Sequence, residues 1–354
     1  MRSAYLNKVA TAVPAFDVHK QFVDYAPSML PDMQERALFE RMARRAQIEH
    51  RYSVLQPDAD ANRLDTANFY VRNAFPGTGA RMDFYQRHAF ALAKQALDQI
   101  DLAGVTHLIV TSCTGFYAPG LDFEIVHYYG LAPSIERTVI GFMGCFAAFN
   151  AMKLARHIVR SDGSARVAIL NLELCTLHLQ QNGTLENVLS FLVFADGCSA
   201  SIVSAEPKGI ELESFRTTLL PDSGDQITWQ IGASGFDMNL SGRVAGTIAA
   251  GLPPQLNSIL EGARREDVNL WAVHPGGRTI LDAVREGAGL AESQLMASRD
   301  ILRRFGNMSS ATIMFVLEEI MNPGHGGAGC AMAFGPGLTI ESMRFSAQGS
   351  CAHA

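Results

Sequence analysis

Two stretches of the chain share the order strand, connecting segment, apolar helix, and this internal repeat constrains the fold more than any other feature. In the first stretch an apolar run ends at Cys113, and a helix opens at Cys145, 32 residues later. In the second stretch an apolar run ends at His274, and a helix opens at Asn307, 33 residues later. The repeat predicts two similar halves whose polar residues meet at a shared site. On spacing alone, a chance match of two helix–strand–helix units is the alternative.

Apolar runs alternate with helical patterns along the chain, and this alternation predicts an α/β architecture. Several runs are continuously apolar, as is typical of strands that are buried on both faces. The predicted strands are residues 107–112, 166–173, 199–204, 269–274, 329–334 and 338–345. The predicted helices are residues 85–100, 146–160, 255–266 and 309–321.

The composition limits the class of protein. Charged residues make up only 18% of the 354 residues and hydrophobic residues 48%, which predicts a deep core, an extensive subunit interface, or both. The net charge of −6 argues against a general nucleic-acid-binding protein. No apolar run is long enough to span a membrane, and no apolar signal-peptide core follows residue 1. We therefore expect a cytoplasmic protein.

The six cysteines are scattered and lack CxxC spacing, so reduced thiols are expected rather than a disulfide framework. Cys145 is distinctive because it follows a glycine at the start of an apolar helix. The positive end of a helix dipole favours a thiolate, which would suit a nucleophile. A small thiol buried in the core is an equally supported interpretation.

His274 and Asn307 occupy the corresponding points of the second half. His274 ends an apolar strand before a Pro-Gly-Gly turn, where an imidazole can reach a thiol or an oxyanion. A loop histidine with solvent or carbonyl partners is the alternative. The Asn307 amide can cap a helix or stabilise a developing oxyanion. Cysteine, histidine and asparagine at equivalent points suit chemistry in which an enolate or a tetrahedral oxyanion forms beside a thioester.

These residues lie in segments that resemble the type III polyketide synthases, the chalcone and stilbene synthase-like branch of the thiolase-fold superfamily. The resemblance covers nearly the whole chain, and residues 172–178 look more like bacterial members than plant members. It rests on residues 144–147 (GCFA), 194–197 (FADG), 271–277 (WAVHPGG), 306–311 (GNMSSA) and 333–339 (AFGPGLT).

The resemblance implies a reaction and the roles of three residues. Cys145 would carry the starter acyl group of an acyl-CoA and then the growing polyketide as thioesters. His274 would hold Cys145 as a thiolate, and His274 and Asn307 would bind the thioester carbonyl of malonyl-CoA. Iterative decarboxylative condensation and cyclisation would then yield a pyrone, resorcinol or phloroglucinol-type product. CoA thioesters are substrates in this scheme, and neither a cofactor nor a metal is expected.

Further site residues are implied by the same resemblance. Phe194 and Phe236 match phenylalanines between the CoA tunnel and the reaction cavity, with plain core packing as the alternative. Arg41 and Arg45 match a region that contacts CoA phosphates and lie on one helix face, with a solvated charged surface as the alternative. The positions that match the lining of the reaction cavity are Cys113, Thr114, Cys175, His178 and Ser309.

The implied fold is a thiolase-like α/β fold with five layers, αβαβα, built from two similar halves. We expect residues 1–206 to form the half with the nucleophile and residues 207–354 the half with the histidine and asparagine. The resemblance also implies a homodimer, and an acyl carrier protein is a candidate starter donor. The starter, the number of extensions and the mode of ring closure are not determined by the sequence.

Besides a less favoured cysteine hydrolase, which would need water in the site, two other functions are alternatives. A ketoacyl-carrier-protein synthase III also uses cysteine, histidine and asparagine, but that branch typically has a His-Gln-Ala-Asn block where this chain has His274-Pro275-Gly276-Gly277. A non-catalytic acyl-CoA-binding scaffold is the second alternative. Such a protein is expected to have lost part of the cysteine, histidine and asparagine set, and all three residues are present.

Overall fold

A computed structural model describes residues 2–60, 62–181, 184–322 and 326–348. The strands are β1 (Tyr5–Ala12), β2 (Phe16–Asp17), β3 (Tyr52–Ser53), β4 (His107–Ser112), β5 (Glu136–Gly141), β6 (Val167–Leu174), β7 (Asp196–Ser204), β8 (Ile210–Leu219), β9 (Ile227–Gly232), β10 (Gly235–Leu240), β11 (Leu270–Val273), β12 (Gly327–Gly335) and β13 (Thr339–Ala347). The α-helices are α1 (His19–Tyr25), α2 (Met33–Arg45), α3 (Thr78–Leu97), α4 (Leu121–Tyr128), α5 (Ala147–Ser161), α6 (Leu185–Val193), α7 (Val244–Ile259), α8 (Arg278–Ala288), α9 (Met296–Phe305) and α10 (Thr312–Met321).

Nine strands form one mixed sheet in the order β11-β12-β13-β8-β1-β7-β6-β4-β5. The sheet divides into two halves at β1 and β8, which share only the pairs Tyr5 with Glu211 and Leu6 with Ile210. In the first half β1 lies beside β7, and the parallel strands β6, β4 and β5 follow. In the second half β8 lies beside β13, and the parallel strands β12 and β11 follow. The two halves therefore share a topology, as the internal repeat predicts.

Helices α5 and α10 form the central layer. Helix α5 contacts β4, β6 and β7 of one half-sheet and β8 and β13 of the other, and α10 contacts both β1 and β11. Helix α3 covers the outer face of the first half-sheet, and α7 and α8 cover that of the second. The α/β class and the two-half layered architecture are thus confirmed.

The six predicted strands correspond to β4, β6, β7, β11, β12 and β13, with ends that differ by up to three residues. The helix predicted over 255–266 is wrong in its position, because α7 spans Val244–Ile259 and includes Pro253 and Pro254. Proline removes a backbone donor and usually breaks a helix. Here the buried face of α7, including Ile248 and Leu252, packs against the second half-sheet and α8. This tertiary packing outweighs the local preference.

The halves differ before their central helices. Strand β5 precedes Cys145, whereas residues 274–306, all of which the structure describes, contain α8 and α9 and no strand. In both halves a single 3-10 turn leads into the central helix, over Gly144–Phe146 and Ser309–Ala311. In the described ranges no helix is both long enough and apolar enough to cross a bilayer.

Candidate active site

The sulfur of Cys145 is presented by a tight turn between β5 and α5. Gly144 has a φ of +71°, and a Cβ at this position would collide with the ring of Pro336. Its N–H donates to the Cys113 sulfur over 3.0 Å, which ties the turn to the end of β4. The turn needs glycine for both reasons. Cys145 is partly exposed to a cavity, whereas Cys113, Cys175, Cys198 and Cys330 are buried.

His274 directly follows β11, and its backbone N–H continues the ladder by donating to Met332 O over 2.8 Å. The side chain is only 1% exposed. Both ring nitrogens are buried and have no hydrogen-bond partner among the described residues. Because a buried polar group without a partner is costly, these nitrogens indicate a ligand site rather than a structural histidine.

The Asn307 side chain has a defined orientation. Its Oδ1 accepts from the Ser309 N–H over 2.9 Å, so Nδ2 faces the opposite way and donates to Gly276 O over 3.3 Å. An amide NH2 group has two N–H donors. Besides its bond to Gly276 O, the Asn307 side chain is hydrogen-bonded to the Cys145 thiol.

Burial sets the protonation of the nucleophile and of the histidine. It raises the pKa of the Cys145 thiol to about 11, an effect opposed by the side chains of Ser309 and Asn307. It lowers the pKa of His274 to about 3. The resting pair is therefore a neutral thiol and a neutral imidazole. This differs from the thiolate expected from the helix dipole, because desolvation of the charged forms outweighs the dipole.

Cys145, His274 and Asn307 converge on one cavity of about 50 Å³, although they come from widely separated parts of the sequence. Five other predicted residues lie in its wall. These are Phe194, Cys113, Thr114, Cys175 and Ser309. The hairpin of β9 and β10 completes the wall with apolar side chains, which the sequence did not point to. These are Ile227, Trp229, Met238 and Leu240.

Two predicted residues, Phe236 and His178, are not part of the lining of this cavity. Phe236 is 1% exposed and stacks on the His178 ring, with ring centres 4.2 Å apart. The Phe236 N–H donates to His178 Nδ1, and Nε2 donates to Thr114 O over 2.7 Å. His178 thus lies behind the wall, where burial lowers its pKa to about 3 and keeps it neutral.

Glu173 is a buried carboxyl group near the site that the sequence analysis did not single out. It accepts hydrogen bonds from the Cys113 N–H and from the hydroxyls of Thr114 and Ser310. Burial raises its pKa to about 7, against the effect of these hydrogen bonds. The sequence does hold a signal for this residue, because Glu173 is the one carboxylate within the apolar run 167–174.

A second, larger cavity of about 570 Å³ adjoins the first and shares Leu240, Val244, Gly276 and Ile280 with it. Arg45 and Arg278 both line this cavity. Arg41, which was predicted with Arg45, is exposed one turn earlier on α2 and is not among the lining residues. Arg278 was missed, although it follows the Pro-Gly-Gly turn directly.

No group of three or more histidine, cysteine, aspartate or glutamate side chains suited to a metal ion occurs in the part of the chain that the structure describes. A thiol, an imidazole and a carboxamide around one cavity, with two arginines in the adjoining larger cavity, are the elements of an acyl-transferring condensation site. On the thiolase-like fold, these elements define the class as condensing enzymes.

Known proteins place the chain more closely within this class. Residues 4–207 match the N-terminal domain of the chalcone and stilbene synthases, and residues 211–347 match their C-terminal domain. The chain belongs to this family, as the resemblance predicted. It is a type III polyketide synthase, an acyltransferase that joins acyl units by decarboxylative condensation. The ketoacyl-carrier-protein synthase III alternative is not favoured.

Two relatives and one solved structure illustrate the similarity. The chain is 32% identical to the Mycobacterium tuberculosis protein named alpha-pyrone synthesis polyketide synthase-like Pks18, over 97% of this chain and 91% of that protein. It is 31% identical to bisdemethoxycurcumin synthase of Oryza sativa subsp. japonica, over 89% of this chain and 83% of that protein. The crystal structure of PKS-I from the brown alga Ectocarpus siliculosus superposes on this chain with a TM-score of 0.88 at 26% identity. The match covers 98% of this chain and 99% of that one.

Proposed function

We propose that Cys145 carries the acyl intermediates of this synthase and that His274 and Asn307 bind the thioester oxygen of the extender, malonyl-CoA. The observation that carries the proposal is the convergence of the three side chains on one cavity, where both His274 nitrogens lack partners among the described residues and the Asn307 side chain is hydrogen-bonded to the Cys145 thiol. A carbonyl oxygen that becomes negative during the reaction is the ligand that such donors suit.

The proposed cycle starts with acyl transfer. The Cys145 thiol, activated by transfer of its proton to His274, attacks the thioester of a starter acyl-CoA, and CoA leaves as a thiol with that proton. Malonyl-CoA then loses CO2, and the electron pair of the broken C–C bond enters an enolate held by His274 and Asn307. The enolate attacks the acyl-Cys145 thioester, and the Cys145 thiolate leaves. The resulting β-ketoacyl-CoA returns to Cys145 for the next round, and cyclisation ends the sequence.

The larger cavity is the proposed route for the pantetheine arm. Arg45 and Arg278 lie on α2 and at the start of α8, where they would meet the nucleotide phosphates of CoA. Arg41 is proposed as a more distant contact. CoA and acyl carrier proteins share the phosphopantetheine arm, so a carrier protein as starter donor is compatible with the same entrance. We propose that the enzyme uses no cofactor beyond these thioesters.

The volume of the reaction cavity bears on the size of the starter acyl group. A cavity of about 50 Å³ has the volume of one or two water molecules. We therefore expect long acyl starters to need more room than this, through the opening to the larger cavity or through movement of a wall residue. Phe194 is the candidate, because it also lines a separate cavity on its other side. The product classes proposed are pyrones, resorcinols and phloroglucinols.

We also propose a homodimer that forms along β5. This strand pairs only with β4 among the described residues, and its residues Glu136–Val139 are exposed. Val139 in this strand is 52% exposed, and Phe123 on α4 is 48% exposed. Phe116 and Met143 are two further exposed apolar side chains in the adjoining loops. An unpaired strand edge with an apolar border invites pairing with a second copy. Val139→Lys is expected to yield monomers in size-exclusion chromatography with light scattering.

The division of the chain into halves and its location in the cell are also proposed. We propose a division of the chain into residues 1–206 and 207–354, which separates Cys145 from His274 and Asn307. We propose the cytoplasm as the location, because a catalytic thiol and four buried free cysteines suit a reducing compartment.

Separate assays of the two half-reactions test the proposed roles. Asn307→Ala is expected to lose malonyl-CoA decarboxylation, measured as CO2 release, while mass spectrometry still shows acylation of Cys145 by a starter panel. Cys145→Ala is expected to load no acyl group. Normal condensation by Cys145→Ala, or equal loss of both half-reactions in Asn307→Ala, would contradict the assignments.

A further inference from the structure

Arg51 is a buried arginine that the proposed chemistry does not use. It is 2% exposed, and no ion pair to a carboxylate is formed by its guanidinium among the described residues. Burial lowers its pKa to about 10. Burying a cation is costly, and the nearby Asp17 and Asp196 carboxylates offset only part of that cost, because they raise the Arg51 pKa while burial lowers it further.

The Arg51 guanidinium is directed at the backbone of one segment. Its Nη1 donates to Phe191 O over 2.8 Å and to Phe194 O over 2.6 Å, at the point where α6 ends and the chain turns into β7. Its Nε donates to His19 Nδ1 over 3.0 Å. Hydrogen bonds from a charged donor are stronger than neutral ones, so Arg51 fixes the position of the Phe194 backbone.

The same segment is paired with Asn307. Phe194 and Asn307 form a parallel β-bridge, in which Asn307 N–H donates to Val193 O over 2.7 Å and Ala195 N–H donates to Asn307 O over 2.9 Å. The backbone of Asn307 therefore follows any displacement of residues 193–195.

Arg51 also touches the other side of this bridge. Gly306 has a φ of +71°, and a Cβ there would lie 2.8 Å from Arg51 Cγ and 2.8 Å from Val193 O. The stem of Arg51 thus packs against the residue before Asn307, while its guanidinium holds the residue opposite. One side chain supports both partners of the bridge.

We propose that Arg51 is a positioning residue that sets the Asn307 amide and the Phe194 ring at the reaction cavity, and so serves the decarboxylation half-reaction. This inference rests on the proposed roles of Asn307 and Phe194. The backbone turn that carries Cys145 is held by a different set of contacts, through Gly144 to Cys113 and Pro336, and the Asn307 segment meets Cys145 at the thiol, through the side chains of Ser309 and Asn307. Acylation of Cys145 therefore depends on Arg51 far less than malonyl-CoA decarboxylation does.

The test compares the two half-reactions in Arg51→Met and Arg51→Lys. A displacement of about 1 Å at a reacting group can lower a rate about 100-fold. In Arg51→Met we expect decarboxylation, measured as kcat for CO2 release, to fall by about tenfold to 100-fold, with Cys145 acylation changed less than about threefold. Arg51→Lys keeps a cationic donor for the two carbonyls, and we expect it to restore much of the loss.

Arg156→Lys is the matched control, because Arg156 also donates to two backbone carbonyls, those of Leu212 and Glu213, but lies remote from the cavity. It is expected to leave the ratio of the two half-reactions unchanged. Equal losses of both half-reactions in Arg51→Met, or wild-type decarboxylation in it, would overturn the inference. If Arg51→Met does not fold, Arg51→Gln takes its place as the variant without a cationic donor, and an unchanged ratio of the two half-reactions in folded Arg51→Gln would overturn the inference. Retained decarboxylation in Asn307→Ala would instead refute the proposed function, and the inference with it.

Discussion

The ring of His178 stacks on the ring of Phe236, with the planes 13° from parallel, and the His178 nitrogens bridge the Phe236 N–H and Thr114 O. His178 thus links the β9–β10 hairpin, through Phe236, to the loop after β4, through Thr114. Trp229 of the same hairpin donates through Nε1 to Cys113 O over 2.8 Å. Two side chains, His178 from the turn after β6 and Trp229 from the hairpin, thus hold the rear wall of the cavity in place.

His178→Ala is expected to loosen this wall. The substitution leaves a cavity and two buried backbone groups without partners, which costs about 2–4 kcal/mol of unfolding free energy. Because Phe236 and Trp229 are then less restrained, the distribution of polyketide lengths from a fixed starter is expected to broaden. Urea unfolding and product mass spectrometry measure the two effects. His88→Ala is the control, since His88 also stacks on a phenylalanine, Phe84, and an unchanged product pattern in His178→Ala would contradict the prediction.

Glu173→Gln is expected to change the pH dependence of stability. Burial raises the pKa of Glu173 to about 7 in the folded protein, so the folded state holds this proton more tightly than the unfolded chain does. The free energy of unfolding therefore falls as pH rises from about 4.5 to about 7. Asp196, with its pKa raised by burial to about 6, acts in the same direction.

The glutamine removes the contribution of Glu173 and leaves that of Asp196. Unfolding by urea at intervals between about pH 4.5 and about pH 8 is expected to show a shallower decline in Glu173→Gln than in the wild type. Glu286→Gln, a change on the exposed face of α8, is the control and should follow the wild-type curve. A parallel curve for Glu173→Gln would show that Glu173 titrates normally.

Phe194→Leu is expected to widen the range of starters. Phe194 separates the reaction cavity from the cavity lined by Phe22, Arg51 and Phe191, and a smaller side chain lets the two volumes join. We expect kcat/KM for medium-chain acyl-CoA starters to rise about tenfold relative to acetyl-CoA, a gain typical of one added hydrophobic contact. Phe191→Leu enlarges only the outer cavity and is the control. A starter profile identical to the wild type would refute the role of Phe194 as a barrier.

Arg45→Ala and Arg278→Ala are expected to raise the KM for malonyl-CoA about threefold to tenfold with little change in kcat. The reason is that both side chains line the larger cavity and not the cavity of Cys145, His274 and Asn307, so we expect their contacts to be equal in the ground and transition states. With malonyl-pantetheine, which lacks the nucleotide phosphates, the variants should match the wild type. Arg87→Ala, an exposed position on α3, is the control, and a KM increase that persists with malonyl-pantetheine would exclude a phosphate contact.

Much of the site was available from the sequence. The repeat related Cys145 to Asn307, and the glycine-rich turns beside Cys145 and after His274 marked the ends of strands β5 and β11. Such features depend on residues that are close in the chain: a continuous apolar run, a turn that only glycine permits, a helix opening. The structure confirms the strands and the layered fold on which this pattern depends.

Other features were decided by the tertiary structure alone. His178 aligned with lining residues, yet it lies behind the wall because Phe236, 58 residues away, occupies its ring face. The neutral state of Cys145 and the raised pKa of Glu173 follow from burial, which depends on neighbours from both halves of the chain. The role inferred for Arg51 rests on carbonyls 140 and 143 residues away. Local patterns determine elements and turns, whereas desolvation and long-range hydrogen bonds exist only once the halves have packed together.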